Sequence, residues 1–156
     1  MVRVCSNVTA MPSKPPFYKQ ETPDSCVPAC LRMVFSSLGI DIEESNLRAL
    51  SDCGLLGTDA LRAVDAARQL GFEGSSKHTL SLGEMRTLVT EGCHPIAFVD
   101  LRPIDGVRNI HAVVVVGIGP RNIIVLDPLK GERSFAVQVF STAWAMAHNL
   151  ALIIRR

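Results

Sequence analysis

Along the chain, hydrophobic positions follow two different periods. Up to about residue 92 they recur with helical spacing, and beyond it they gather into short runs rich in valine and isoleucine. The apolar stretch from Cys26 to Leu38, stopped by Gly39, predicts a first helix. Asp41-Ile-Glu-Glu has the form of a cap and predicts a short helix to about Leu50. After a loop over 51–57 with two glycines, Thr58 is expected to cap a third helix. Leu61, Val64 and Leu70 would mark its inner face, and Gly71 its end. Ser81-Leu-Gly-Glu reads as a capping box for a fourth helix, with Leu82, Met85, Leu88 and Val89 inward and Gly92 as the stop.

The second half predicts strands over 96–101, 110–116, 123–126, 135–139 and 151–154, with a late helical turn over 140–147 that carries Trp144. Helices first and strands second give an α+β fold class, with an N-terminal helical layer packed on a C-terminal antiparallel sheet. Residues 1–16, with Pro12, Pro15 and Pro16, read as an irregular arm, and 17–156 as one domain.

Chemistry enters at Gln20–Leu31, Gln-Glu-Thr-Pro-Asp-Ser-Cys-Val-Pro-Ala-Cys-Leu. Asp24 or Ser25 can cap the first helix, and Pro28 suits a first turn whose N–H groups have no helical partner. Cys26 then sits at the positive end of a helix dipole, which favours thiolate over thiol. A nucleophile needs a base, the base an orienter, and the oxyanion donors. His111 opens the run His-Ala-Val-Val-Val-Val-Gly, Asp127 closes Ile-Ile-Val-Leu-Asp, and Gln20 carries an amide NH2.

Strand register decides whether His111 and Asp127 meet. A five-residue loop over 117–121 pairs Val116 with Asn122 and sets His111 directly opposite Asp127. A tighter loop, with Ile118 opposite Ile123, moves Asp127 opposite Val114 and onto the other face, unless a bulge intervenes. Gly117, Gly119 and Pro120 are compatible with the longer loop.

Composition narrows the setting. The chain has 156 residues, 47% hydrophobic and 20% charged, which suits one globular domain with a sizeable core. Sixteen basic against fifteen acidic side chains leave a net charge of +1, no basis for binding nucleic acid or an anionic membrane. Five cysteines, at 5, 26, 30, 53 and 93, form no disulfide framework and suit a reducing, cytoplasmic compartment. The N-terminus lacks a signal-peptide core, and the longest apolar run, 112–116, is far short of a membrane span. A free-standing domain is therefore expected. Cys30 reads as a core residue, Cys53 and Cys93 as structural or surface thiols, and His78, His94 and His148 as solvated or core histidines. Cys-x3-Cys with no second pair is a poor metal site.

Gln20, Asp-Ser-Cys-Val-Pro-Ala-Cys-Leu-Arg-Met-Val at 24–34, His-Ala-Val-Val-Val-Val-Gly at 111–117 and Leu-Asp-Pro at 126–128 together resemble the bacteriocin-processing, double-glycine leader peptidases. These are papain-like cysteine proteases, best known as N-terminal domains of peptide-exporting ABC transporters. The resemblance implies a papain-like fold, Cys26 as nucleophile, His111 as base, Asp127 as its orienter and Gln20 in the oxyanion hole. It implies no metal or organic cofactor, and a peptide or small-protein substrate cut after Gly-Gly, with a separate exporter as a further partner. One departure is Val27, where that family usually has glycine beside the nucleophile. Two rival readings share the same residues: an acyl-transfer or deconjugating enzyme, and a catalytically idle module that binds leader peptides.

Overall fold

The computed structural model describes residues 14–156, so most of the expected arm and Cys5 lie outside the described residues. Helix α1 (Cys26–Ser37) is the element the others wrap. Val27, Ala29, Cys30, Leu31, Met33, Val34 and Phe35 are all buried. A helix apolar on so many sides belongs in a core, not on a surface. Gly39, at φ +87°, ends it in the left-handed region that glycine enters without a Cβ penalty.

Helix α2 (Glu44–Leu50) begins later than the Asp41 pattern predicts. Its acids are used elsewhere: the buried Glu44 carboxylate accepts from the backbone N–H of Glu21 at 3.0 Å and pairs with Arg48. Helix α3 (Ala60–Gln69) is capped by Asp59, whose carboxylate accepts from Leu61 N–H at 2.8 Å, and not by Thr58. Leu61 is exposed, and Ala63, Val64, Ala66 and Ala67 form the inner face instead. Helix α4 (Leu82–Thr90) has both halves of the Ser81–Glu84 capping box, and it buries Met85 and Leu88 as the pattern predicts.

Six strands make one antiparallel sheet: β1 (Ser76–Thr79), β2 (Ile96–Asp100), β3 (Ile110–Ile118), β4 (Asn122–Asp127), β5 (Gly131–Ala136) and β6 (Leu150–Ile153), in the order β1-β6-β2-β3-β4-β5. Between β2 and β3 lies a short helix, α5 (Arg102–Asp105). The strand expected through Val139 stops at Ala136, where helix α6 (Val137–Ala145) begins. Phe140, Ala143 and Trp144 recur there with helical spacing and are buried together, and this outweighs the β-branched character of Val137 and Val139.

The helical layer expected on the sheet is present, and the other face is covered as well. On one side α1, α2 and α3 pack against Ile96, Phe98, Ala112, Val114 and Leu126. On the other, α4 and α6 pack against Ala97, Val99, Val113, Val115 and Val125. Two-sided burial explains why 112–116 is an unbroken apolar run and not an alternating one. The sheet is the middle layer, and one end of its β3–β4 hairpin carries His111 and Asp127.

Candidate active site

Cys26 is the first residue of α1 and is only half-buried, while the helix behind it is sealed into the core. The segment that delivers it, Gln20 to Ser25, is tied at nearly every residue. Gln20 N–H donates to the Pro128 carbonyl at 2.9 Å, which joins this segment to the end of β4. Ser25 caps α1 by position, but its hydroxyl turns back to Thr22, accepting from the N–H at 3.0 Å and donating to the carbonyl at 3.1 Å. The Cys53 thiol donates to the Asp24 carbonyl at 3.4 Å. Cys26 and Val27 open the helix, so their N–H groups have no carbonyl one turn earlier within it. Val27 points into the core, so the departure from glycine adds no side chain to an exposed groove.

His111 and Asp127 are brought together by the tighter of the two hairpins. Ile118 pairs with Ile123 and Gly117 with Ile124, then the register shifts, so that Val115 faces Val125 and Val114 faces Leu126. The shift is a bulge at Val116, one extra residue on β3. Carried one step further, the shifted register sets Val113 opposite Asp127, with His111 two residues along on the same side. A diagonal pair of this kind lies within reach of an aromatic side chain. His111 Nε2 and Asp127 Oδ1 are 2.8 Å apart, and both residues are buried.

Cys26 acts on the same ring, through a side-chain hydrogen bond and through its charge. Burial alone would make the imidazole harder to protonate. Hydrogen bonds to Asp127 and Cys26, with the negative charge on each, outweigh it and raise His111 from its usual 6.5 to about 9. Burial likewise opposes ionisation of Asp127, yet hydrogen bonds from His111 and from Leu129 N–H, with help from Arg133, bring it down to about 2.

Two residues at this end are not evident from the sequence, Arg133 on β5 and Asp105 on α5. Arg133 Nη1 donates to Asp127 Oδ2 at 3.1 Å, and Asp105 holds the same guanidinium at 3.0 and 2.7 Å. Asp105 and Arg133 are far apart in the chain and belong to no motif, so only the folded sheet brings them together.

Gln20 is 7% exposed, and its amide is oriented away from an open oxyanion role. Nε2 donates to the Thr22 carbonyl at 2.8 Å and the Pro23 carbonyl at 3.1 Å. Oε1 is buried without a hydrogen-bond partner among the described residues.

The peptidase C39 family model matches residues 14–155. The chain belongs to the peptidase C39 family. It is a cysteine-type peptidase, a hydrolase. No curated protein matches it in a sequence search. Among solved structures, the peptidase domain of Streptococcus ComA, a bifunctional ABC transporter of a quorum-sensing pathway, is similar with a TM-score of 0.75 and 27% identity over 89% of this chain and 97% of that one. A double-glycine-motif protease from an AMS/PCAT transporter, solved with a leader peptide, has the same fold with a TM-score of 0.75, at 20% identity over 96% and 97% of the two chains. So does a putative C39-like peptidase from Bacillus anthracis, with a TM-score of 0.74 at 16% identity over 90% and 94%.

The remaining polar residues of this C39 peptidase fall outside the cleft chemistry. Cys30 is fully buried, and burial first, then the charges of Cys26 and Asp127, keep it a thiol. Cys93 is buried and disulfide-bonded, a pairing the sequence pattern does not reveal, while Cys53 is free. His78 bonds Ser76 on β1, and His148 lies in an exposed turn at φ +63°. Among the described residues no group of three or more His, Cys, Asp or Glu could hold a metal ion, and no helix is long and apolar enough to cross a membrane.

Proposed function

We propose that this C39 peptidase cuts a leader peptide or small precursor after a Gly-Gly site by a Cys26–His111–Asp127 triad. The observation that carries the reading is the imidazole of His111, fixed at Nε2 by Asp127 and acted on by Cys26 as well. The Cys26 thiolate attacks the scissile carbonyl, and the carbonyl electron pair moves onto oxygen. Backbone N–H groups at the start of α1 and the Gln20 amide hold that oxyanion. For Gln20 to donate, one Nε2 hydrogen must leave the Thr22 or Pro23 carbonyl, so substrate entry is coupled to a small turn of this side chain. When the oxyanion collapses, the C–N bond breaks and His111 passes its proton to the departing amine. Water, deprotonated by His111, then cleaves the thioester and releases the new carboxylate.

The similarity to proteases of peptide-exporting transporters, one of them solved with a leader peptide, supports the substrate class and a separate exporter as partner. The test is a peptide series in which each glycine before the cut is replaced in turn by alanine, with products read by mass spectrometry. Cleavage restricted to Gly-Gly members is expected. Equal cleavage of all members contradicts the substrate assignment, and no cleavage of any of them favours the idle binding module.

A further inference from the structure

We propose that Arg133, clamped by Asp105, is a positioning residue that fixes the second oxygen of Asp127 and thereby the orientation of His111. This rests on the triad reading above. Asp127 uses Oδ1 twice, for His111 Nε2 and for the N–H of Leu129, each at 2.8 Å. Among the described residues Oδ2 receives only Arg133 Nη1, at 3.1 Å. Without that donor a nearly buried carboxylate oxygen has no protein partner, and the carboxylate is free to rotate about its Cβ–Cγ bond. Rotation would offer His111 a different oxygen at a different angle.

Arg133 can serve only because its own position is fixed. Asp105 takes both ends of the guanidinium, at 3.0 and 2.7 Å, and Lys130 adds a contact to Asp105 at 3.2 Å. The ring of Phe135 lies 4.8 Å from the guanidinium carbon. Asp105 is itself held by α5, whose start is pinned by Asp100: its carboxylate accepts from Arg102 N–H at 2.9 Å and from the Arg102 side chain at 3.0 and 2.8 Å. The chain of contacts therefore runs from the β2–α5 junction through Asp105 and Arg133 to Asp127 and His111.

Charge explains why an arginine needs a second aspartate there. A lone cation beside Asp127 would compete with imidazolium for the same carboxylate. Asp105 balances Arg133, so the set is neutral when His111 is protonated, the form that accompanies a thiolate. The fork geometry of arginine, and not a point charge, lets one side chain serve both carboxylates.

The experiment is a double-mutant cycle on cleavage of a Gly-Gly peptide, using Arg133→Met, Asp127→Ala and the pair, with Asp105→Asn as an independent variant. Loss of an outer partner of a metal-ligating histidine or carboxylate commonly costs about 10–100-fold, and the same scale is expected for an outer partner of a histidine base. Arg133→Met is expected to lose activity in that range, in kcat with KM little changed, and to cost nothing more once Asp127 is alanine. Asp105→Asn should lose kcat in the same direction while the protein stays folded by circular dichroism. Full activity in folded Arg133→Met, or an equal further loss in the Asp127→Ala background, overturns the proposal and leaves the triad standing. Unchanged activity in Cys26→Ala would instead overturn the triad reading itself.

Discussion

The two sides of the proposed active site are built by different means. On the base side, charged side chains hold one another: His111, Asp127, Arg133 and Asp105 form a continuous line of contacts that alternates in charge when His111 is protonated. On the proposed nucleophile side, the segment from Gln20 to Ser25 is held mostly by neutral hydrogen bonds to its own backbone, and its charged contacts, Glu44 to Glu21 N–H and Arg48 to the Glu21 carboxylate, are confined to Glu21. The contrast matches what each side must do. A base has to carry a proton and be tuned, so its neighbours are charges. A helix N-terminus and an amide donor have only to be in place, so their neighbours are dipoles.

The largest effect tests whether the two sides form one machine. Cys26→Ala should reduce peptide cleavage by roughly four or more orders of magnitude, measured as kcat, since losing the nucleophile of a triad removes the chemical step. Next comes the charged side. Asp127→Ala should cost about 10²–10⁴-fold in kcat. It should also move the alkaline limb of the pH–rate profile down from about 9, because the group that most favours imidazolium is gone. Activity should persist below the shifted limb and fall as pH rises through it.

Gln20→Ala sharpens the contrast. Removing one oxyanion donor costs about 10²–10³-fold in kcat, yet the pH limb should stay where it was, because a neutral amide tunes no proton. A shifted limb in Gln20→Ala would erase the distinction between the sides. The smallest effect is expected at Glu44→Gln, which keeps an acceptor for Glu21 N–H but removes the charge facing Arg48. A loss of about 1–3 kcal/mol in denaturant midpoint analysis is expected, with kcat changed far less than in either triad variant.

Much of this was legible in the sequence, for physical reasons that differ by element. Helix α1 announces itself through its apolar run, its helix-start residues and Gly39, and Cys26 falls at its first position as the pattern predicts. The partners His111 and Asp127 were visible as strand-terminal polar residues, but their register was not. Gly117-Ile-Gly-Pro-Arg permits two loops, and the bulge at Val116 that decides between them is a matter of sheet packing, with no residue that marks it. Strand β1, Ser-Lys-His-Thr, is polar because it is the sheet's edge, so hydrophobic patterning passes over it. Arg133 was invisible for a simpler reason. Its role depends on Asp105 and Asp127 arriving from two other elements, and a lone arginine on a polar strand looks like a solvated one.

Asp127 and Cys26 together hold His111 protonated. The direct measurement is an NMR titration of the His111 ring in the unliganded protein and in Asp127→Asn. A midpoint near 9 is expected in the native protein, falling toward the ordinary 6.5 in the variant. A native His111 that titrates near 6.5, and does not respond to Asp127→Asn, would contradict it.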